Sequence, residues 1–306
     1  MKKRDRTLSA FILMLVICFL LIYFSYKDSP LIESDDIQKK EISNTVEVIN
    51  EYEEDLHVYF LDVGQADSIL IENLDGYALI DAGNNSDGKK LVGYFKNMGI
   101  SEFKHVIATH AHEDHIGGMD DIINNFKIDN FYIPEYLTTS KTFEDVLDAL
   151  EAKEVEITIP RVGEVFYVND AKIEVIHVEA NPADINDSSI VLRLIYGANS
   201  ILFMGDASTK IERQLLERNI SSDVLKLGHH GSRYSSMPEF LDVVNPTYAV
   251  ISVGKDNKYN HPHQVTLDKL QNRNIKVYRT DEDGTIKLTS NGNLITFDLL
   301  DTDLDG

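Results

Sequence analysis

The chain has 306 residues, 43% of them hydrophobic and 9% aromatic, a globular composition with enough length for one large core or two modest ones. Its formal net charge of −22 disfavours tight, salt-driven binding of a polyanion unless metal ions or a local basic patch intervene. The single cysteine, Cys18, excludes an intrachain disulfide and a cysteine-built zinc site, so any metal centre must draw on His, Asp and Glu.

The chain begins with a basic tip, "MKKRDR", and continues with the uncharged run "TLSAFILMLVICFLLIYFSY". That length suits a membrane-spanning helix better than the short core of a cleaved signal peptide, and no small-residue cleavage site follows. Because the positive charges precede the span, residues 1–26 are expected to form a single-pass signal anchor. The N-terminus would then be cytoplasmic and the remainder would lie on the extracellular side of the cell membrane. Residues 27–55 are polar, acidic and aperiodic, and read as a flexible linker.

From residue 56 the texture changes. "HVYFLDVG", "DSILIEN" and "YALIDAG" are short strand-like runs separated by turn residues. "SDGKKLVGYFKNMG" reads as a helix, "KHVIATH" as a strand, "EDHIGGMDDIINNF" as a helix, "KIDNFYIP" as a strand and "KTFEDVLDALEAKE" as an amphipathic helix. Strands "AKIEVIHVEA", "SSIVLRLIYG" and "NSILFMGDAS" follow, then helix "TKIERQLLERN" and strand "DVLKLGHH". "TYAVISVG", a helix through "QVTLDKLQNRN", and "IKVYRTDEDGTIKLTS" close the block. A strand meander followed by alternating strands and helices predicts one α/β domain over residues 56–297, with two sheets sandwiched between helices. Residues 298–306 read as an acidic tail. Asp301, Asp303 and Asp305 before Gly306 repeat only the opening half of a calcium loop, without its remaining ligands.

The densest chemistry is "HAHEDH". His110 would end a strand, with His112, Asp114 and His115 on the turn and helix start beyond it, where α/β proteins gather functional groups. Imidazoles and a carboxylate at this spacing can converge on one cavity and suit zinc and its first-row relatives. His177 lies inside a strand-like run, and His57 and His105 flank strands, so these three read as structural.

"HAHEDH" resembles the HxHxDH motif of the metallo-β-lactamase superfamily, and other segments are similar to that family's remaining motifs in the right order. "LIDAG" resembles the first, in which Asp81 would support the metal loop. "FMGDAS" resembles the fourth, making Asp206 a carboxylate bridging two metals. "LKLGHHGS" resembles the fifth, where His230, or alternatively its neighbour His229, completes the second metal. The resemblance runs from about residue 56 to 288 and implies a four-layer αββα sandwich holding two divalent ions, Zn²⁺ or Mn²⁺. His110 and His112 would hold the first ion, and Asp114 and His115 the second. A metal-bound hydroxide would then attack the substrate.

Within the superfamily, "FLDVGQADSILI", "NDSSIVLRL", "HHGSRYSS" and "ISVGKDNKYNHPH" are most similar to the competence-protein (ComEC-type) branch. That resemblance implies hydrolysis of phosphodiesters, with DNA the first substrate. Extracellular phosphorylcholine esterases have a similar layout, and with the acidic surface and anchored location they make a cell-envelope phosphodiester such as choline-decorated teichoic acid the alternative. A noncatalytic metal-binding sensor is the reading from another class. One departure from the superfamily stands at its third motif, where "INDSSIVL" offers Asn186 and Asp187 in place of a histidine. Either could contact the first metal or the substrate. In "YNHPHQ", His261 is expected near the centre as a substrate contact or proton donor alongside Asp114. Ser232 and Arg233 are candidate phosphate contacts. Lys226 precedes the histidine pair but could simply be a strand-face charge.

Overall fold

The computed structural model describes residues 54–136 and 138–300. The expected anchor, all of the linker but its last two residues, and residues 301–306 lie outside the described residues. Among the described residues no helix is long and apolar enough to cross a membrane.

The first sheet starts as the expected meander of β1 (Leu56–Phe60), β2 (Ser68–Asn73) and β3 (Gly76–Ala82). It continues in parallel through β5 (His105–Ile107), β7 (Phe131–Tyr132) and β8 (Ile157–Thr158). A small separate ribbon pairs β4 (Glu102–Phe103) with β6 (Lys127–Ile128), so the single strand expected from "KIDNFYIP" is two short ones. At the other edge, β16 (Thr285–Ser290) and β17 (Ile295–Leu300) return beside β1, giving the order β17-β16-β1-β2-β3-β5-β7-β8. The β16–β17 ladder runs to Leu300, so Asp298 to Leu300 belong to the sheet rather than to a tail beginning after residue 297.

In the second sheet β9 (Val165–Val168), β10 (Ala171–His177), β11 (Val191–Tyr196) and β12 (Asn199–Phe203) are antiparallel. β13 (Val224–Lys226), β14 (Tyr248–Ile251) and β15 (Lys276–Arg279) then join β12 in parallel.

Period-2 alternation along the strands builds the layers. Val58, Phe60, Ile69, Ile71 and Ile80 meet Leu192, Leu194, Ile201, Phe203 and Val250 in a core between the sheets. Their alternates Tyr59, Leu61, Leu70 and Leu79 pack beneath α1 (Gly88–Asn97), α3 (Met119–Asn125) and α4 (Lys141–Ala152) through Leu91, Phe95, Met119, Phe143 and Val146. On the far face Leu202, Met204, Leu225 and Ile251 lie under α5 (Thr209–Leu215), α6 (Pro238–Val244) and α7 (Gln264–Gln271) through Ile211, Phe240 and Leu270. Each such fully buried side chain contributes on the order of 1.5–3 kcal/mol. The result is the expected αββα sandwich.

The helix expected over 113–126 is broken into α2 (Glu113–Ile116) and α3. The break lies at Gly117 and Gly118. A Cβ on Gly117 would fall 2.2 Å from the backbone of Asn84 and Asn85, and one on Gly118 2.5 Å from the carbonyl oxygen of Ala82. The two glycines let this turn press against the end of β3, which brings Asp81 to the histidines.

Candidate metal centre

The site is assembled at the C-terminal ends of β3, β5, β12, β13 and β14. After β5 the chain leaves through Thr109 and His110. The Thr109 N–H and hydroxyl donate to the two Asp81 oxygens at 2.8 and 2.7 Å. The second of those oxygens also accepts from His115 Nδ1 at 2.7 Å. Asp81 therefore fixes the His115 ring with Nε2 turned away from it. His112 precedes α2, Asp114 sits in its first turn and His115 follows on its buried side.

β12 delivers Asp206 through a turn at Gly205, where φ is +51°. β13 delivers His229 and His230, consecutive residues held in the left-handed region at φ 53° and 52°. Non-glycine residues there cost roughly 1–3 kcal/mol each, and the fold holds both. The His230 ring is oriented from behind, its Nδ1 donating to the carbonyl of Ser252, just beyond β14, at 2.9 Å.

The donor atoms converge on Asp206. Its Oδ2 lies 3.9 Å from His110 Nε2 and 3.7 Å from His229 Nε2. Its Oδ1 lies 3.4 Å from His115 Nε2 and 3.9 Å from His230 Nε2. His230 Nε2 is also 3.3 Å from Asp114 Oδ2, and His112 Nδ1 is 3.0 Å from His110 Nε2. Among the described residues, three groups of side chains could each hold a cation, with ligand atoms within 4.8 Å of one another: His110, His112 and Asp206; Asp114, His115 and His230; and Asp67, His115 and Asp206. His230 belongs to one of these groups and His229 to none.

The chemistry of this donor set fits a divalent ion. Asp206 Oδ1, His115 Nε2 and His230 Nε2 are buried without a hydrogen-bond partner, an arrangement that is costly unless something satisfies them.

The electrostatics are strongly polarised. Burial disfavours charge on His115, but Asp206 and Asp81 outweigh it and raise its pKa well above the usual value. His230 is likewise opposed by burial yet pushed up to about 10, chiefly by Asp206 and by Asp114 and Asp67. His110 is driven well below its ordinary value by burial and then by His115. Burial would raise Asp206, but His115 and His230 hold it well below the carboxylate range. Perturbed, mutually compensating groups packed in a cleft mark a functional site.

The centre floors a cleft of about 510 Å³ bordered by Gln65, Asn84, Glu113, Lys258, Tyr259 and His261. His261 stands on the cleft wall, 5.5 Å from His229 between ring centroids. Burial, then His230 and His229, lower its pKa to about 4, so it meets a ligand as a neutral imidazole rather than as an imidazolium. His263 instead packs against the backbone, its Nδ1 accepting from the Arg233 N–H at 3.2 Å.

Several candidates stand elsewhere. Ser232 is buried in its own turn, its hydroxyl accepting from the Tyr234 N–H at 3.3 Å, and Arg233 is exposed; neither borders the cleft. Asp187 accepts from the Ser208 hydroxyl at 2.6 Å and lies 3.6 Å from Lys210 Nζ, so it supports the start of α5 and belongs to no donor group. Asn186 keeps a buried Oδ1 without a hydrogen-bond partner. His177 is buried in β10, His57 pairs with Thr289 and His105 with the Tyr167 carbonyl, in keeping with structural roles.

Sequence reasoning missed Asp67, Gln65, Lys258 and Tyr259, and left Lys226 open. Lys226, at the end of β13, is fully buried and donates to Asp67 at 2.7 Å. The signal for Gln65 was the glycine in "ISVGKDN". A Cβ on Gly254 would fall 2.5 Å from Gln65 N, so the two loops must touch.

Residues 61–255 match the family described as "Metallo-beta-lactamase superfamily". The chain is 35% identical over 261 residues to ComE operon protein 3 of Bacillus subtilis, covering 78% of this chain and 34% of that protein. It is 30% identical over 234 residues to competence protein ComA of Neisseria gonorrhoeae, covering 74% and 31% respectively. It thus spans about a third of the length of these relatives. Among solved structures, the metallo-beta-lactamase fold protein YhfI of Bacillus subtilis aligns with a TM-score of 0.53 at 11% identity, covering 79% of this chain and 100% of that one. Igni18, a metallo hydrolase from Ignicoccus hospitalis, aligns with a TM-score of 0.52 at 17% identity, covering 76% and 98%. These two likenesses speak to fold.

Proposed function

Because the chain belongs to the metallo-beta-lactamase superfamily, in the branch of its competence-protein relatives, we propose that it is a metal-dependent phosphodiesterase acting first on nucleic acid. The observation that carries this reading is the division of Asp206, one oxygen facing His110 and the other facing His115 and His230. His110, His112 and Asp206 would hold one divalent cation, Zn²⁺ or Mn²⁺, and Asp114, His115 and His230 would share Asp206 to hold the other. Bound there, two cations would lower the pKa of water toward neutrality and offset the charge that builds on a phosphate during hydrolysis.

The chain's own groups set the geometry. Asp81 and the Ser252 carbonyl aim His115 and His230. Asp114 stays ionised at neutral pH: burial opposes its charge, but His230 and His115 bring its pKa down to about 2. It can therefore accept a hydrogen bond from an attacking water. Neutral His261 can donate an N–H to a phosphate oxygen or leaving group from the cleft wall. We further propose that residues 1–26 anchor the enzyme and that the domain faces outward.

The test is a cleavage assay of the purified chain on plasmid, single-stranded DNA and bis-p-nitrophenyl phosphate with Mn²⁺ or Zn²⁺. Metal-dependent cleavage that Asp114→Ala and His110→Ala abolish is expected. Hydrolysis of none of the three would overturn the reading, and cleavage of the small ester alone would move the substrate to the cell envelope.

A further inference from the structure

The rim of the cleft carries a feature that the metal centre leaves unused. Tyr259 is 49% exposed, and its ring lies over His261 with centroids 5.7 Å apart and planes 25° apart. Lys258 Nζ lies 5.0 Å from the centre of the same ring. Both residues border the cleft, and Lys258 is the only lysine or arginine among the described residues that do so, on a chain of net charge −22.

We propose that Tyr259 and Lys258 form a base-stacking platform, so that the site takes a phosphodiester flanked by an unpaired base, that is, single-stranded nucleic acid. The proposal rests on the phosphodiesterase reading above and narrows it. A half-exposed ring takes a base on its π-face when the flexible Lys258 side chain lying over it swings to the adjacent phosphate; aromatic stacking beside a cation is how single strands are held without sequence preference. Bases inside a duplex are covered on both faces by their neighbours, so only an unpaired strand or a frayed end can use the ring. His261 links the platform to the centre, its ring centroid 5.7 Å from that of Tyr259 and 5.5 Å from that of His229. A base on Tyr259 therefore lies within one nucleotide's reach of the donor groups. The Lys258 ammonium over the ring also disfavours a choline headgroup, whose quaternary ammonium it would repel from the same aromatic face.

The experiment measures binding and turnover separately on the full chain in Mn²⁺. Binding is read by fluorescence anisotropy with a labelled phosphorothioate dodecathymidylate, and turnover with the ordinary oligonucleotide and with bis-p-nitrophenyl phosphate. Tyr259→Ala is expected to weaken binding about tenfold, and to lower the ratio of oligonucleotide to small-ester kcat/KM by a similar factor. Tyr259→Phe should restore both. Lys258→Ala should flatten the dependence of log binding constant on log salt by about one unit. No binding by the unaltered protein, equal binding by Tyr259→Ala, or an equal loss on both substrates would overturn the platform. A normal binding difference without any hydrolysis would support the platform and overturn the phosphodiesterase reading instead.

Discussion

Lys226 donates to Asp67 at 2.7 Å with both side chains almost wholly removed from water. Lys226 comes from β13 of the second sheet and Asp67 from the loop between β1 and β2 of the first, so the pair joins the two sheets beneath the donor histidines. The Asp67 N–H donates to the Asp114 carbonyl at 3.0 Å, and its free carboxylate oxygen lies 3.4 Å from His230 Nδ1.

Breaking this pair leaves an uncompensated buried charge. Lys226→Met is expected to destabilise the fold by about 3–5 kcal/mol, and the double variant Asp67→Asn/Lys226→Met by clearly less. Urea denaturation reads both, and a single-variant loss under about 1 kcal/mol would contradict the assignment. Burial raises the Asp67 pKa, but Lys226 and then His230 outweigh it and hold the carboxyl well below the usual range. The pair's stabilisation is therefore complete above the unfolded value of about pH 3.9 and is lost as pH falls through the lower folded value.

Asp81 satisfies three donors at once: the Thr109 N–H, the Thr109 hydroxyl and His115 Nδ1. Asp81→Ala would orphan buried polar groups and free the His115 ring to turn. The expected outcome is a loss of about 1–3 kcal/mol in stability and of roughly 10–100-fold in Mn²⁺ affinity by calorimetric titration. Unchanged affinity would show that His115 is positioned by something else.

Glu212 makes a pH prediction away from the centre. It is buried against the turn before α6, accepting from the Ser236 N–H and, at 2.7 Å, from the Met237 N–H. Burial is the main cause that raises its pKa to about 7, with the two backbone donors opposing. A raised folded value means that Glu212 adds stability below its unfolded pKa and loses that contribution as pH rises through about 7. Unfolding free energy relative to Glu212→Gln should fall between pH 5 and pH 8 by up to about 3 kcal/mol. A flat difference across that range would contradict the assignment.

What the sequence discloses depends on whether a residue's role is local. The alternation in "DSILIEN" and the spacing in "HAHEDH" are set by neighbours along the chain, so the strand and the donor cluster are legible. Asp67 and Lys226 acquire their roles from each other across 159 positions, and singly they look like a turn aspartate and a strand-face charge. Ser232 and Arg233 fail in the opposite direction. "HHGSRYSS" has the composition of a phosphate loop, but Ser232 and Ser235 engage their hydroxyls within the turn, Ser235 donating to the carbonyls of Gly228 and Ser232, and the exposed Arg233 does not border the cleft. Lys258 takes the cleft position instead, brought there by a loop that Gln65 and Gly254 hold at the rim. The break at Gly117 follows from contact with Asn84 and Asn85, which no helical pattern records.

Asp206 is placed to serve two cation sites at once. Metal content by mass spectrometry and bis-p-nitrophenyl phosphate hydrolysis, compared between the unaltered chain and Asp206→Ala, test this most directly. Two Mn²⁺ or Zn²⁺ ions per unaltered chain are predicted, with fewer than one retained by the variant and a rate lower by about a thousandfold. A variant that keeps both ions and the unaltered rate would contradict the account.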